Sequence, residues 1–319
     1  MFITRLSLIT SCAIGLLASG GVARSAIIGP YTADSNTLHL WHLDESTLNL
    51  ADSGTGTAFP ITSLGSAGNA GTQLNITSNP NANANPSFGK AYMGVVTTET
   101  GLFLLPPVNG AADNIAMTNF MGADGAFTYD MIVRADFDPS VAHAVDDFIL
   151  ASAENENTGG GGRTFQWTMG KSGADWKVGV NSIANGEAFT SNTISVIQGH
   201  WYHAAMTYTG AENTADNLKF YWTDMGTDAS PDDSATVASL VSSHMLLADF
   251  PSTNSSDIVF GSEARASTAV AQFPGLMDEI RVSNIARGAG EFIFVPEPSS
   301  LALAVLALVG LACRGQRCK

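Results

Sequence analysis

Hydrophobic and polar residues alternate with a period of two through much of residues 36–290. In AFTYDMIVR, Phe127, Tyr129, Met131 and Val133 fall on one side, with Thr128, Asp130 and Arg134 on the other. HWYHAAMTY groups Tyr202, Ala204, Met206 and Tyr208 against Trp201, His203 and Thr207. LKFYWTD groups Leu218, Phe220 and Trp222 against Lys219, Tyr221 and Thr223. GLMDEIRV aligns Leu276, Asp278, Ile280 and Val282 against Met277, Glu279 and Arg281. Successive side chains of a strand point to opposite faces, so each run predicts a strand with one face in a core.

Between these runs lie ADSGTG, TSNPNANANPS, TGGGGR, AENTADN and TDASPDD. Gly, Asn and Asp supply positive φ there and Pro a fixed φ, as tight connections require. No long amphipathic helix emerges, only a turn or two near 111–120 or 235–247. Many short strands without a helical layer predict an all-β fold, a two-sheet antiparallel β-sandwich. The polar stretch 77–87 reads as a long surface loop, so residues 27–294 form one domain. The apolar TVASLVSSHMLLADF (236–250) is expected to cover one sandwich edge or to meet a partner.

The two ends differ from this middle. MFITRLSLITSCAIGLLASGGVARSA carries Arg5, an apolar stretch from Leu6 to Leu17, and small residues after it. That order predicts a secretory signal peptide over 1–26, cleaved after Ser25 or near Gly20. Cys12 lies inside the apolar stretch and not after it, which argues against a lipoprotein signal. Residues 295–319 run from Pro296-Glu297-Pro298 through an apolar segment, Leu301 to Cys313, into Arg314, Arg317 and Lys319. This C-terminal apolar helix is shorter than the roughly 20 residues that span a bilayer comfortably. The basic end suits the cytoplasmic side, and the prolines keep the preceding stretch extended and open to an enzyme at the membrane surface.

Composition sharpens the picture. All three cysteines (Cys12, Cys313, Cys318) lie in the end segments, so the exported domain has no disulfide. Its stability must come from a large core or a bound metal. The chain holds 29 acidic against 14 basic residues, and five of the basic ones sit in the ends. A domain this acidic repels nucleic acid and anionic lipid and attracts divalent cations or basic partners.

Residue patterns limit the chemistry. His39 and His42 point to opposite faces of one strand, as do His200 and His203, so neither pair forms a zinc site. No Ser/His/Asp or Cys/His arrangement stands out. Trp167, Trp176 and Tyr221 lie on predicted strands and are candidates for stacking against a sugar, whereas Trp222 alternates with Leu218 and Phe220 as a core residue does.

LHLWHLDES, ADSGTG, WYHAAMTYTG, LKFYWTD, DIVFGSEA and FPGLMDEIRVSNIAR occur in that order. Together they resemble the LamG-like jelly roll of the concanavalin A-like lectin/glucanase superfamily. One departure is local: Tyr221 leads into Trp222-Thr223-Asp224-Met225-Gly226, where the family often has an Asp-Gly turn. The resemblance implies a structural Ca²⁺ where the first and last strands meet, at Asp44 and Asp278. Glucanase relatives carry a Glu-x-Asp-x-x-Glu strand. Here Glu154-Asn-Glu156 is the nearest acidic pair and lacks the motif's Asp and its closing Glu, so no enzyme activity is expected.

The closing segment resembles the PEP-CTERM sorting signal, with Pro296, Glu297 and Pro298 as the motif and Arg314 and Arg317 as the basic stop. That implies an exosortase-type processing enzyme as a partner and transient attachment to the membrane. The expectation is an exported, non-catalytic surface or matrix protein that binds carbohydrate, with exopolysaccharide as the ligand class. The alternatives are a purely structural matrix protein and a divergent glycoside hydrolase.

Overall fold

The structure, a computed structural model, describes residues 26–27, 30–45, 50–61, 63–65, 91–93, 101–103, 115–140, 147–154, 164–181, 186–227, 237–250, 255–262, 272–292 and 294–295. The signal peptide up to Ser25 and the sorting residues Pro296, Glu297, Pro298, Arg314 and Arg317 lie outside them. Among the described residues no helix is long and apolar enough to cross a membrane.

Two antiparallel sheets pack face to face. The first runs β11 (Phe189–Thr190), β10 (Asp175–Asn181), β9 (Phe165–Ser172), β8 (Asp147–Glu154), β15 (Ser255–Phe260), β5 (Gly101–Phe103) and β3 (Ser63–Gly65), and β6 (Ile115–Ala116) also pairs with β15. The second runs β14 (Leu240–His244), β13 (Leu218–Asp224), β12 (Trp201–Tyr208), β7 (Phe127–Ala135), β16 (Gly275–Ser283) and β2 (Thr37–Trp41), with β4 (Tyr92–Met93) against β16. A separate pair joins β1 (Ala26–Ile27) to β17 (Phe294–Val295). The late strand β16 lies between β7 and the early strand β2, so the chain crosses between sheets as a jelly roll does.

Alternation predicts the inner faces well. Phe127, Tyr129, Met131 and Val133 of β7 share the inter-sheet core with Tyr202, Ala204, Met206 and Tyr208 of β12 and with Leu218, Phe220 and Trp222 of β13. Phe165, Trp167 and Met169 of β9 face them from the other sheet. Rings fill this layer edge to face: Tyr129 and Phe165 are 5.1 Å apart at 72°.

In β16 the alternation breaks. Asp278 pairs with Ile132 and Arg281 with Asp130, so one extra residue is inserted against β7. Glu279 takes φ +48 at this bulge. Leu276 therefore stays on the outer face, while Ile280 and Val282 turn into the inter-sheet core beside Met277. A bulge shifts the phase of a strand, and a strict period of two cannot foresee it.

The first helical turn foreseen near 111–120 is a 3₁₀ turn at Met117–Phe120. The second, near 235–247, is instead the edge strand β14, where the chain pairs with β13. Leu246 and Phe250 tuck into the core behind it, and Val237, Leu240, Met245 and Leu247 stay exposed. The ADSGTG turn is fixed by Asp52. Its carboxylate accepts the backbone N–H of Leu40, Gly54 and Phe59 at 3.0 Å each and lies 2.7 Å from His39 Nδ1.

Candidate functional site where the chain ends meet

The outer face of the second sheet is not solvent-facing at its centre. Tyr31, before β2, and Phe292, after β16, fold across it and bury Ile132, Ala205, Tyr221 and Leu276. Polar residues that alternation directs outward are therefore enclosed. Asp130 of β7 and Arg281 of β16 form a two-point ion pair at 3.0 and 2.8 Å, and both are buried. His203 Nε2 lies 3.6 Å from the same carboxylate, and the guanidinium sits 4.4 Å from the centre of the Tyr31 ring. Burial pushes Asp130 up, but Arg281 and His203 outweigh it and hold the carboxyl down at about 2.

One residue pair further along β16 stands the motif that sequence singled out for calcium. Glu279 accepts the Tyr31 N–H at 2.8 Å and faces His42 Nδ1 at 3.0 Å. That hydrogen bond raises the His42 pKa against the opposing effect of burial. Asp278 Oδ1 accepts the Glu279 N–H at 2.8 Å, while Oδ2 is buried with no hydrogen-bond partner among the described residues. Burial, then the neighbouring charges of Glu279 and Asp44, push the Asp278 carboxyl well above the usual carboxylate range. Asp44 thus comes within electrostatic reach of Asp278 while remaining exposed itself. Glu45 Oε1 accepts the Ala51 N–H at 2.7 Å, and its Oε2 is buried with no partner among the described residues. A hard cation suits unpartnered carboxylate oxygens. Yet no three His, Cys, Asp or Glu side chains among the described residues gather into a metal-holding group. The side-chain donors present fit a cation only if main-chain oxygens or water complete the shell.

Beside this cluster a cleft of about 400 Å³ opens between residues 30–36 and 287–292. Tyr31, Asp34, Asn36, Arg287, Glu291 and Phe292 line it. Its wall is braced by Arg287, which donates to Asp34 at 2.9 and 2.7 Å and to Ser283 Oγ at 2.8 Å. A second cleft, about 510 Å³, lies between residues 118–125 and 249–250; its acidic residues, Asp124 and Asp249, are both exposed.

The three rings proposed for sugar stacking do not line either cleft. Trp167 is fully buried in the inter-sheet core, and Trp176 packs on Phe148 with its indole N–H donating to Pro139 O at 3.1 Å. Tyr221 lies under Phe292, the rings 5.1 Å apart. A ring enclosed on both faces cannot stack on a ligand, so all three serve as packing residues here. Of the acidic pair Glu154 and Glu156, the first lies at the end of β8 and the second outside the described residues.

The sandwich and its closing β16 motif define the class, and the comparisons give the family. The chain belongs to the concanavalin A-like lectin/glucanases superfamily, whose family model matches residues 109–291. The PEP-CTERM protein-sorting motif matches residues 294–317, which marks an exported protein. Comparison with curated proteins finds no match.

Among solved structures, a heptameric SAP-like pentraxin from Limulus polyphemus is similar at 12% identity and a TM-score of 0.37, over 53% of this chain and 68% of that one. The CBM40 of a Ruminococcus gnavus IT-sialidase, bound to α2,3-sialyllactose, is similar at 16% identity and 0.39, over 54% and 83%. Trypanosoma rangeli sialidase is similar at 14% identity and 0.45, over 92% of this chain and 38% of its own length. The chain therefore spans well under half of that enzyme.

Proposed function

We propose that this is an exported, non-catalytic surface or matrix protein whose sandwich binds carbohydrate, with exopolysaccharide as the ligand class. In this reading an exosortase-type enzyme processes the tail after a transient hold at the membrane. The observation that carries the binding role is the cleft between the chain ends, about 400 Å³, within the range typical of small-molecule sites. Its lining mixes one apolar ring, Phe292, with amide, carboxylate and guanidinium groups that suit hydroxyl-rich ligands. Asn36 is only partly buried, and among the described residues its hydrogen bonds are made by its backbone, so it is the natural probe. Asn36→Ala is expected to weaken binding to exopolysaccharide fragments about tenfold, roughly one lost ligand hydrogen bond, with the melting temperature unchanged. Titration calorimetry reads the affinity. A wild-type domain that binds no fragment, yet self-associates, would leave the purely structural role instead.

The buried, unpartnered Oδ2 of Asp278 favours a second element of this reading: a structural Ca²⁺ held by Asp278 and Asp44. The ion would neutralise the carboxylates and tie the first strand to the last. Calorimetric melts with calcium and with chelator decide it. Calcium should raise the midpoint of the wild type and not of Asp278→Asn, and an unchanged wild-type midpoint removes the ion.

A further inference from the structure

Asp34, Arg281, Arg287 and Glu291 are the charged residues that line the cleft between the chain ends. Both cations are engaged by the fold. Arg281 makes its two-point pair with Asp130, and its side chain is only 5% exposed. A guanidinium has five N–H donors, and those of Arg287 all have partners. Nε donates to Ser283 Oγ at 2.8 Å, and Nη1 to Asp34 Oδ2 at 2.9 Å and the Glu291 carbonyl at 3.4 Å. Nη2 donates to Asp34 Oδ1 at 2.7 Å and Thr37 Oγ1 at 3.3 Å. Arg287 thus has no donor left for a ligand carboxylate, and Asp34 already balances its charge. Glu291 is the charge that remains. Its side chain is exposed, and it forms no ion pair among the described residues. It is nevertheless held in place. Its backbone N–H donates to Gly288 O at 2.9 Å, and its Oε2 accepts the Gly288 N–H at 2.6 Å. This turn, closed at both ends, fixes the carboxylate in the cleft lining.

We propose that Glu291 sets the specificity of this cleft: it accepts hydroxyl groups of glycans that lack carboxylate and sulfate, and it excludes acidic glycans. This rests on the carbohydrate-binding reading above and names the ligand class. A ligand carboxylate that enters here meets a like charge with no free Arg287 donor to answer it, and like charges brought together at an interface cost affinity. A neutral sugar carries no such penalty, and its hydroxyls donate charge-assisted hydrogen bonds to the Glu291 carboxylate. The discrimination is local. The chain's 29 acidic residues against 14 basic ones also repel anions from afar, but at about 0.15 M salt charges more than about 8 Å away are largely screened. Glu291→Gln changes the net charge by a single unit, yet it removes the repulsion inside the cleft.

The test uses the purified full chain at about 0.15 M salt and a glycan panel built from matched pairs across linkage types. Examples are lactose against α2,3-sialyllactose, and cello-oligosaccharides against their uronate-bearing counterparts. Titration calorimetry then reads the affinity of each pair that binds. The neutral member should bind about tenfold more tightly than its acidic partner, or more. Glu291→Gln should narrow that gap to about threefold or less. The Gln side-chain oxygen can still accept the Gly288 N–H, so the melting temperature should stay as in wild type. Acidic members that bind wild type as tightly as their neutral partners, or a gap that Glu291→Gln leaves unchanged, overturn this inference alone. A wild-type chain that binds no member of the panel overturns the carbohydrate-binding reading, and the inference with it.

Discussion

Asp130 and Arg281 are the residues on which the enclosed outer face depends. Removing one partner of a buried, two-point ion pair strands the other charge, so Arg281→Ala should cost about 3–5 kcal/mol in chemical denaturation. The pair also sets an acid limit. The folded Asp130 carboxyl lies near 2, below its unfolded value, so its contribution is present above about pH 4 and is lost as pH falls toward 2. Asp278 has the opposite sign. Its raised folded pKa means that ionisation opposes folding at neutral pH, so Asp278→Asn should stabilise the calcium-free domain by about 1–3 kcal/mol at pH 7. A loss of stability in chelator would overturn that reading of the carboxylate. Tyr129 carries a hydroxyl buried in the core with no partner among the described residues, so Tyr129→Phe should leave stability equal or raise it by about 1 kcal/mol. None of these roles was visible in the sequence. An Asp on β7 and an Arg on β16 read as outward, solvated residues until the two chain ends cover them.

At the scale of elements, most strands were legible because long alternating runs leave little ambiguity of phase. β7, β12 and β13 present the faces that their sequences predict. β16 departs because Glu279 at φ +48 inserts one residue, and that shift delivers Asp278 and Glu279 to the junction with β2. The turn after β13, where the family's Asp-Gly is missing, is closed another way. Asp224 Oδ1 accepts the Gly226 N–H at 2.9 Å, and Gly226 takes φ +74. The aromatic candidates failed for a related reason: period two assigns a ring to a face but cannot say whether that face is covered. Close approach of backbones gives a sharp test. A Cβ on Gly54 would lie 2.1 Å from Leu38 O, and one on Gly290 would meet nothing within 4 Å. Gly54→Ala should therefore destabilise by about 3 kcal/mol, while Gly290→Ala stays within about 0.5 kcal/mol of wild type.

At the scale of the whole molecule, the sequence made the fold class, the family and the sorting motif legible. It could not place a ligand, because the cleft exists only where residues 30–36 and 287–292, some 250 positions apart in the chain, come together. Both ends of the domain leave from the β1–β17 ribbon, and this has a mechanical consequence. A pull on the chain beyond Val295 would enter the domain through β17. The two-residue ribbon unzips under that load one pair at a time and is the first contact to part. Beyond it the pull reaches β16, which β7 and β2 grip on either side, so many backbone bonds must slide together before anything yields. Under such a pull the two-residue ribbon would part before the sandwich, whose longer strands share the load.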